Sequence, residues 1–165
     1  MSLDDKHLTL GPFRVDAAGT LEAITASPAP GFSCHWRDRH VYAKLLPGQP
    51  AGGASFDWRL HLQTPLGRVP STARPANQGR REASFQLLRA LPATVPQGWR
   101  IGLAADHRVL LEVERHIPLP ITATTLVTEM TCFLLTLAPY LDLLEETGMT
   151  RPSASAATPA GNVNT

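Results

Sequence analysis

The nine residues FDWRLHLQT, at 56–64, alternate without a fault. Phe56, Trp58, Leu60 and Leu62 fall on one side, and Asp57, Arg59, His61 and Gln63 on the other. A period of two marks a strand with one buried face and one that meets water or a partner. Such a strand needs neighbours to pair with and a second layer to cover its apolar side, so this one stretch already demands a layered fold. Pro65 and Gly67 predict its end.

Other segments supply the neighbours. Upstream, CHWRDRH at 34–40 gathers a thiol, two imidazoles and a carboxylate within seven residues. Phe32, Cys34 and Trp36 share one strand face, Val41, Ala43 and Leu45 share a face of the next, and RDR at 37–39 reads as the polar break between them. His35 and His40 then sit on opposite arms, with Cys34 on the other face. The ligands divide between two faces, so the stretch predicts a hairpin rather than a metal centre, whose ligands must converge at about 2 Å from one ion. ADHRVLLEV at 105–113 repeats the pattern and predicts a second hairpin tip, between strands carrying Trp99, Ile101 and Leu103 and then Val109, Leu111 and Val113. Near the start, Asp16 and Gly19 supply turn chemistry between Phe13–Val15 and Leu21–Ala23.

Two helices interrupt the strands. Ala83, Leu87, Leu88 and Leu91 recur at helical spacing over roughly 80–91, and Pro92 stops the run. Thr122 is placed to cap a long helix over about 123–147. Its main stripe is Leu126, Met130, Phe133, Leu137, Leu141 and Leu144, widened by Val127, Leu134 and Leu135. Pro139 predicts a kink or break, and Gly148 a stop. Cys132, beside Phe133, reads as a buried small hydrophobe. Strands run consecutively instead of alternating with helices. The fold class expected is therefore α+β: a mostly antiparallel sheet of five to six strands, with a short helix and a long C-terminal helix packed on one face.

Composition limits the function classes. With 165 residues, 43% of them hydrophobic and 18% charged, the chain is expected to form one domain over 1–149, followed by a disordered tail over 150–165 that has almost no apolar mass. A net charge of +1 gives no basis for nucleic-acid binding. No apolar run reaches ~18 residues, and Glu129 and Asp142 within the long helix argue against membrane insertion. Two cysteines make no disulfide framework, and MSLDDKHLTLG lacks the pattern of a signal peptide, which predicts a cytoplasmic protein with reduced thiols.

Among polar features, charge asymmetry stands out. Residues 59–100 hold seven Arg and one acid, whereas 102–150 hold seven acids and two Arg. Arg74, Arg80 and Arg81 cluster before and inside the start of the short helix, where a bound anion would offset the unfavourable helix dipole. The loop has no phosphate-binding glycine pattern, no nucleophile motif surrounds either cysteine, and no cofactor is expected. An enzyme would use His35, His40 or His61, but His35 and His40 read first as parts of a hairpin, and His61, like His107 and His116, reads first as a surface imidazole. The broad, nearly uncharged stripe MTCFLLTLAPYLDLL at 130–144 raises a different prospect, a surface shared with another protein or with a second copy. The residues expected there are Trp58, Met130, Phe133, Leu137 and Tyr140.

The order over 32–148, a strand group, then REASFQLLRAL, WRIGLAADHRVLLEV and TATTLVTEMTCFLLTLAPYLDLLEE, resembles the small α+β fold of type III secretion chaperones and the related bacterial YbjN-like proteins. The resemblance covers about two-thirds of the chain. It implies a cytosolic, often dimeric protein that holds an extended partner segment without ATP. Residues and resemblance together lead to one expectation, a non-catalytic protein-binding adaptor or chaperone-like protein. The alternative is an anionic-ligand module using the Arg-rich loop 68–81.

Overall fold

A computed structural model describes residues 8–24, 29–47, 58–73 and 77–146. The elements in chain order are β1 (Leu8–Leu10), β2 (Phe13–Val15), β3 (Leu21–Ala23), β4 (Gly31–Trp36), β5 (Arg39–Pro47), β6 (Trp58–Arg68), α1 (Gln78–Ala90), β7 (Trp99–Leu103), β8 (Arg108–Ile117) and α2 (Ala123–Glu146). The alternating strand is β6, at the centre of a five-stranded antiparallel sheet ordered β4-β5-β6-β8-β7. Strands β1–β3 form a separate three-stranded antiparallel sheet. The fold is α+β, as expected. Phe56 and Asp57, Gly148, and the tail over 150–165 lie outside the described residues.

Alternation decides which face of the large sheet is buried. Val41, Ala43 and Leu45 on β5, Leu60, Leu62 and Leu66 on β6, and Val109, Leu111, Val113 and Ile117 on β8 point into the core. The α2 stripe closes it, and all six predicted residues, Leu126, Met130, Phe133, Leu137, Leu141 and Leu144, are buried. Thr64, on the same β6 face, is buried and its hydroxyl donates to the His40 carbonyl at 3.1 Å.

Two expectations about strand ends are corrected. Strand β6 does not stop at Pro65 but runs to Arg68. A register shift against β8 between Pro65 and Gly67 absorbs the irregular residues as a bulge, so the sheet bends there instead of ending. Nor is Arg39 part of a polar break. The turn uses only Arg37 and Asp38, both left-handed at φ 48° and 59°, as a two-residue hairpin of the twist-matched type requires. Arg39 then opens β5 two residues before Val41, on the core side, and is 2% exposed. Its guanidinium donates to the Leu66 carbonyl from Nε and Nη2 at 3.2 Å, to the Arg37 carbonyl at 3.0 Å and to Glu145 on α2 at 3.1 Å. Leu66 has no partner in the strand register, so a buried charge satisfies the carbonyl that the bulge removes from the ladder.

The helices follow the predicted spans with shifted faces. Along α1, Ala83 is exposed and Ser84 is buried; Phe85, Leu87 and Leu88, the last two as expected, complete that face, and Leu91 just past the helix is buried. Ser84 fits because it is small and its hydroxyl donates to the Arg80 carbonyl at 2.8 Å. Thr122 caps α2, accepting from the Thr125 amide at 3.1 Å. Helix α2 continues unbroken through Pro139, which lies on the exposed side together with Leu135, whose carbonyl loses its amide partner where water can replace it. Val127 and Leu135 do not widen the buried stripe: they are 54% and 68% exposed, and only Leu134 is half-buried. Cys132 is likewise exposed, because it falls on the side of α2 opposite the stripe. Despite Glu129 and Asp142, α2 reaches the length and mean hydropathy, 1.3, of a membrane span. In this fold one side of it is core.

The small sheet is fastened to the start of α2. Gly19 turns at φ 82° while Asp16 Oδ1 accepts from the Ala18 and Thr20 amides, and the Gly19 carbonyl accepts from the Ala123 amide at 2.8 Å. The Leu21 amide donates to the Ile121 carbonyl at 2.8 Å.

Removing Arg39 takes away the side-chain donors of the Leu66 carbonyl and its ion pair with Glu145 together. Arg39→Ala is expected to lower unfolding free energy by ~3 kcal/mol in urea titration. Glu145→Ala is expected to cost less, because that carboxylate is 24% exposed. Equal, near-zero losses would show that the clamp does not hold the fold. Thr122→Ala is expected to cost about 1 kcal/mol by the same measurement.

Candidate protein-binding surface

Strand β4 is an outer strand of the large sheet. It alternates weakly, with Phe32, Cys34 and Trp36 half-buried and Gly31, Ser33 and His35 exposed. Along its core side, α2 lies close enough to leave a trough but not to fill it. The result is a groove of about 350 Å³ whose apolar lining includes Leu10, Phe32, Val127, Met130 and Leu134, with Ser33, Cys34 and Thr131 as its polar members. At one end stands the β1–β2 turn, where Gly11 approaches Phe32 so closely that a Cβ would lie 3.3 Å from the Phe32 Cβ. Toward the other end the hairpin tip is tied to α2. There Arg37 donates to the Ala138 carbonyl at 3.3 Å and pairs with Asp142. That hydrogen bond to Asp142 raises the pKa of the Arg37 guanidinium further above its already high value.

The groove thus combines two recognition elements. A sheet edge offers backbone donors and acceptors, and the trough beside it accepts apolar side chains. Cys34 lines it, and burial pushes its thiol pKa up, so the thiol stays neutral and behaves as a small apolar surface.

The opposite face of the large sheet is polar. One cross-strand row runs over all five strands, Ser33–Tyr42–Gln63–Glu112–Arg100. Gln63 donates to Glu112 at 2.8 Å, and Glu114 is bridged by Arg59 at 3.2 Å and Arg100 at 3.4 Å. His35 and His40 do face each other, with ring centroids 3.6 Å apart, and Tyr42 stacks on His40 at 5.7 Å. His61 pairs across the strands with Lys44 and Glu114 and does not join them. Among the described residues no three His, Cys, Asp or Glu side chains converge as a metal cluster. The second hairpin tip, Ala104–His107, is held by its own ion pair. The Arg108 backbone amide, and then its guanidinium, keep Asp106 below the usual carboxylate range.

The sequence-derived site residues separate in space. Arg80 is exposed, while Arg81 donates to the Pro70 carbonyl at 2.8 Å and lies over the Phe85 ring at 4.9 Å, so it packs locally instead of pointing into a pocket. Arg74 lies outside the described residues. Of the five residues expected at an interface, Phe133 and Leu137 are core, and Met130 is 8% exposed at the floor of the groove. Trp58 is half-buried against the core. Tyr140 packs on Trp99 at 5.9 Å and donates to the Thr94 carbonyl at 2.9 Å. Sequence reasoning missed the groove itself. Its signal was the surplus of apolar residues on α2, Val127 and Leu134, beyond what one face of a helix can bury. No family model matches this chain, and comparisons with curated proteins and with solved structures find no match.

The two thiols should differ sharply in reactivity. Iodoacetamide is expected to label Cys132 quickly and Cys34 slowly at neutral pH, read by mass spectrometry of peptides. Because burial disfavours the Cys34 thiolate, its labelling should accelerate only at more alkaline pH than an unperturbed thiol requires. Equal rates at neutral pH would contradict the half-buried placement.

Proposed function

We propose that this protein is a non-catalytic binding protein that holds an extended, apolar segment of another polypeptide along β4 and in the groove between β4 and α2. One observation carries the reading: an outer strand and an apolar trough lie side by side, so that backbone pairing and side-chain burial are available to the same ligand. An extended segment sends alternate side chains to one side. Those side chains enter the trough while the backbone pairs with β4. Val127, 54% exposed at the rim, would then be covered on binding. Strand β4, GFSCHW, carries no Asp, Glu, Lys or Arg, unlike the guarded edges of sheets that avoid pairing.

The test uses a fluorescein-labelled peptide of alternating leucine and threonine, read by fluorescence anisotropy. Val127→Glu places a charge at the rim without entering the core, and is expected to weaken binding about tenfold, the equivalent of ~1.4 kcal/mol. Arg100→Ala, on the polar sheet face, is expected to leave it unchanged. The bound peptide should also slow alkylation of Cys34. Binding insensitive to Val127→Glu, or no protection of Cys34, would overturn the assignment to the groove.

A further inference from the structure

The backbone of β4 has a fixed hydrogen-bonding phase. The Leu45 amide donates to the Pro30 carbonyl at 2.9 Å, so Pro30 and Leu45 form a bonded pair of the antiparallel ladder. Bonded and non-bonded pairs alternate along such a ladder. Phe32 and Cys34 therefore turn their backbone groups toward β5, whereas Gly31, Ser33 and His35 turn theirs toward the open edge. A segment added at that edge bonds to Gly31, Ser33 and His35. Its residues opposite Phe32 and Cys34 send side chains into the groove, and those opposite Gly31, Ser33 and His35 send theirs to the polar face of the sheet.

The polar side of this edge carries one sign of charge. Gly31 lies opposite Lys44, and a Cβ at Gly31 would fall 3.1 Å from the Lys44 Cγ and 2.9 Å from the Ala43 carbonyl oxygen. The Lys44 stem thus leans across the strand at the place where β4 has no side chain. Beyond Cγ it still has Cδ, Cε and Nζ, which brings the ammonium within reach of a strand added about 4.8 Å outside β4. Lys44 is exposed and makes no ion pair among the described residues. Neither β4 nor β5 contains an acidic residue. Glu112 and Glu114 on the same face lie on β8, beyond β6, and are engaged there by Gln63, Arg59 and Arg100. The exposed Ser33 hydroxyl and His35 imidazole continue the edge with hydrogen-bond donors.

We infer that the segment bound along β4 carries a carboxylate opposite Gly31, paired with Lys44, beside the apolar residues that fill the groove. The partner is an extended strand that alternates apolar and acidic residues. Antiparallel entry, matching the rest of the sheet, puts this acid on the C-terminal side of the groove-filling residues. The inference rests on the groove reading and adds the residue that selects among segments. The mostly apolar trough alone accepts any alternating strand, and Lys44 distinguishes them by charge.

Fluorescence anisotropy with three C-terminally amidated peptides tests this. One is the leucine–threonine peptide, and the others replace its last threonine with glutamate or lysine. The glutamate peptide is expected to bind about threefold tighter than the threonine peptide, as an exposed ion pair allows, and the lysine peptide more weakly. About 0.5 M sodium chloride should erase the difference. Lys44→Met should remove the gain from glutamate while the threonine peptide binds as before, and Lys44→Glu should reverse the preference in favour of the lysine peptide. A threonine peptide that binds while glutamate brings no gain would overturn this inference and leave the groove reading standing. So would a gain that survives Lys44→Met. Failure of all three peptides to bind would overturn both.

Discussion

The guanidinium of Arg39 joins three elements that have no sequence proximity. It closes the β4–β5 turn through the Arg37 carbonyl, satisfies the β6 bulge through the Leu66 carbonyl, and reaches the last turn of α2 through Glu145. A charge only 2% exposed is costly to bury, and geometry of this kind is what offsets the cost. An apolar residue at 39 would fill the space and leave the bulge carbonyl unpaired. The hairpin tip is then fixed twice over, because Arg37 grips the same helix from the exposed side.

That clamp shapes the surface as well as the core. It holds α2 against the tip of the β4–β5 hairpin at one end. At the other, the backbone bonds of Gly19 and Leu21 hold the start of α2 against the small sheet. Between these two anchors lies the groove, lined by Phe32 and Cys34 from β4 and by Met130 from α2. A partner segment entering it would meet walls that are already positioned, which limits the ordering cost of binding to the segment itself.

Large parts of the fold were legible from pattern alone. The β6 alternation, the three hairpins, the Thr122 cap and the six-residue stripe of α2 are local, and each was read to within a few residues. The errors share a cause. Arg39 was placed in a turn because a charged residue beside Asp38 looks like solvent chemistry; one residue fewer in the turn moves it to the core face. Ala83 and Ser84 were exchanged because a weakly apolar helix has no strong face, and packing against the sheet set its rotation. Cys132 and Leu135 were assigned to the core because composition cannot say how wide a stripe one sheet can cover. For the site, Met130 and Tyr140 were expected at a shared surface; Met130 lies at the groove floor, and Tyr140 packs on Trp99 and donates to the Thr94 carbonyl.

The sequence by itself determined the period of each element, and through it which side chains share a face and that the protein is a layered α+β fold. Periodicity needs only the bond geometry of one strand or one helix. The tertiary structure alone decided how the layers meet: the Arg39 clamp, the gap beside β4, and the bare outer side of α2. Each depends on residues separated by scores of positions, as with Arg39 and Glu145. Their distance in space follows from packing, which no local pattern encodes.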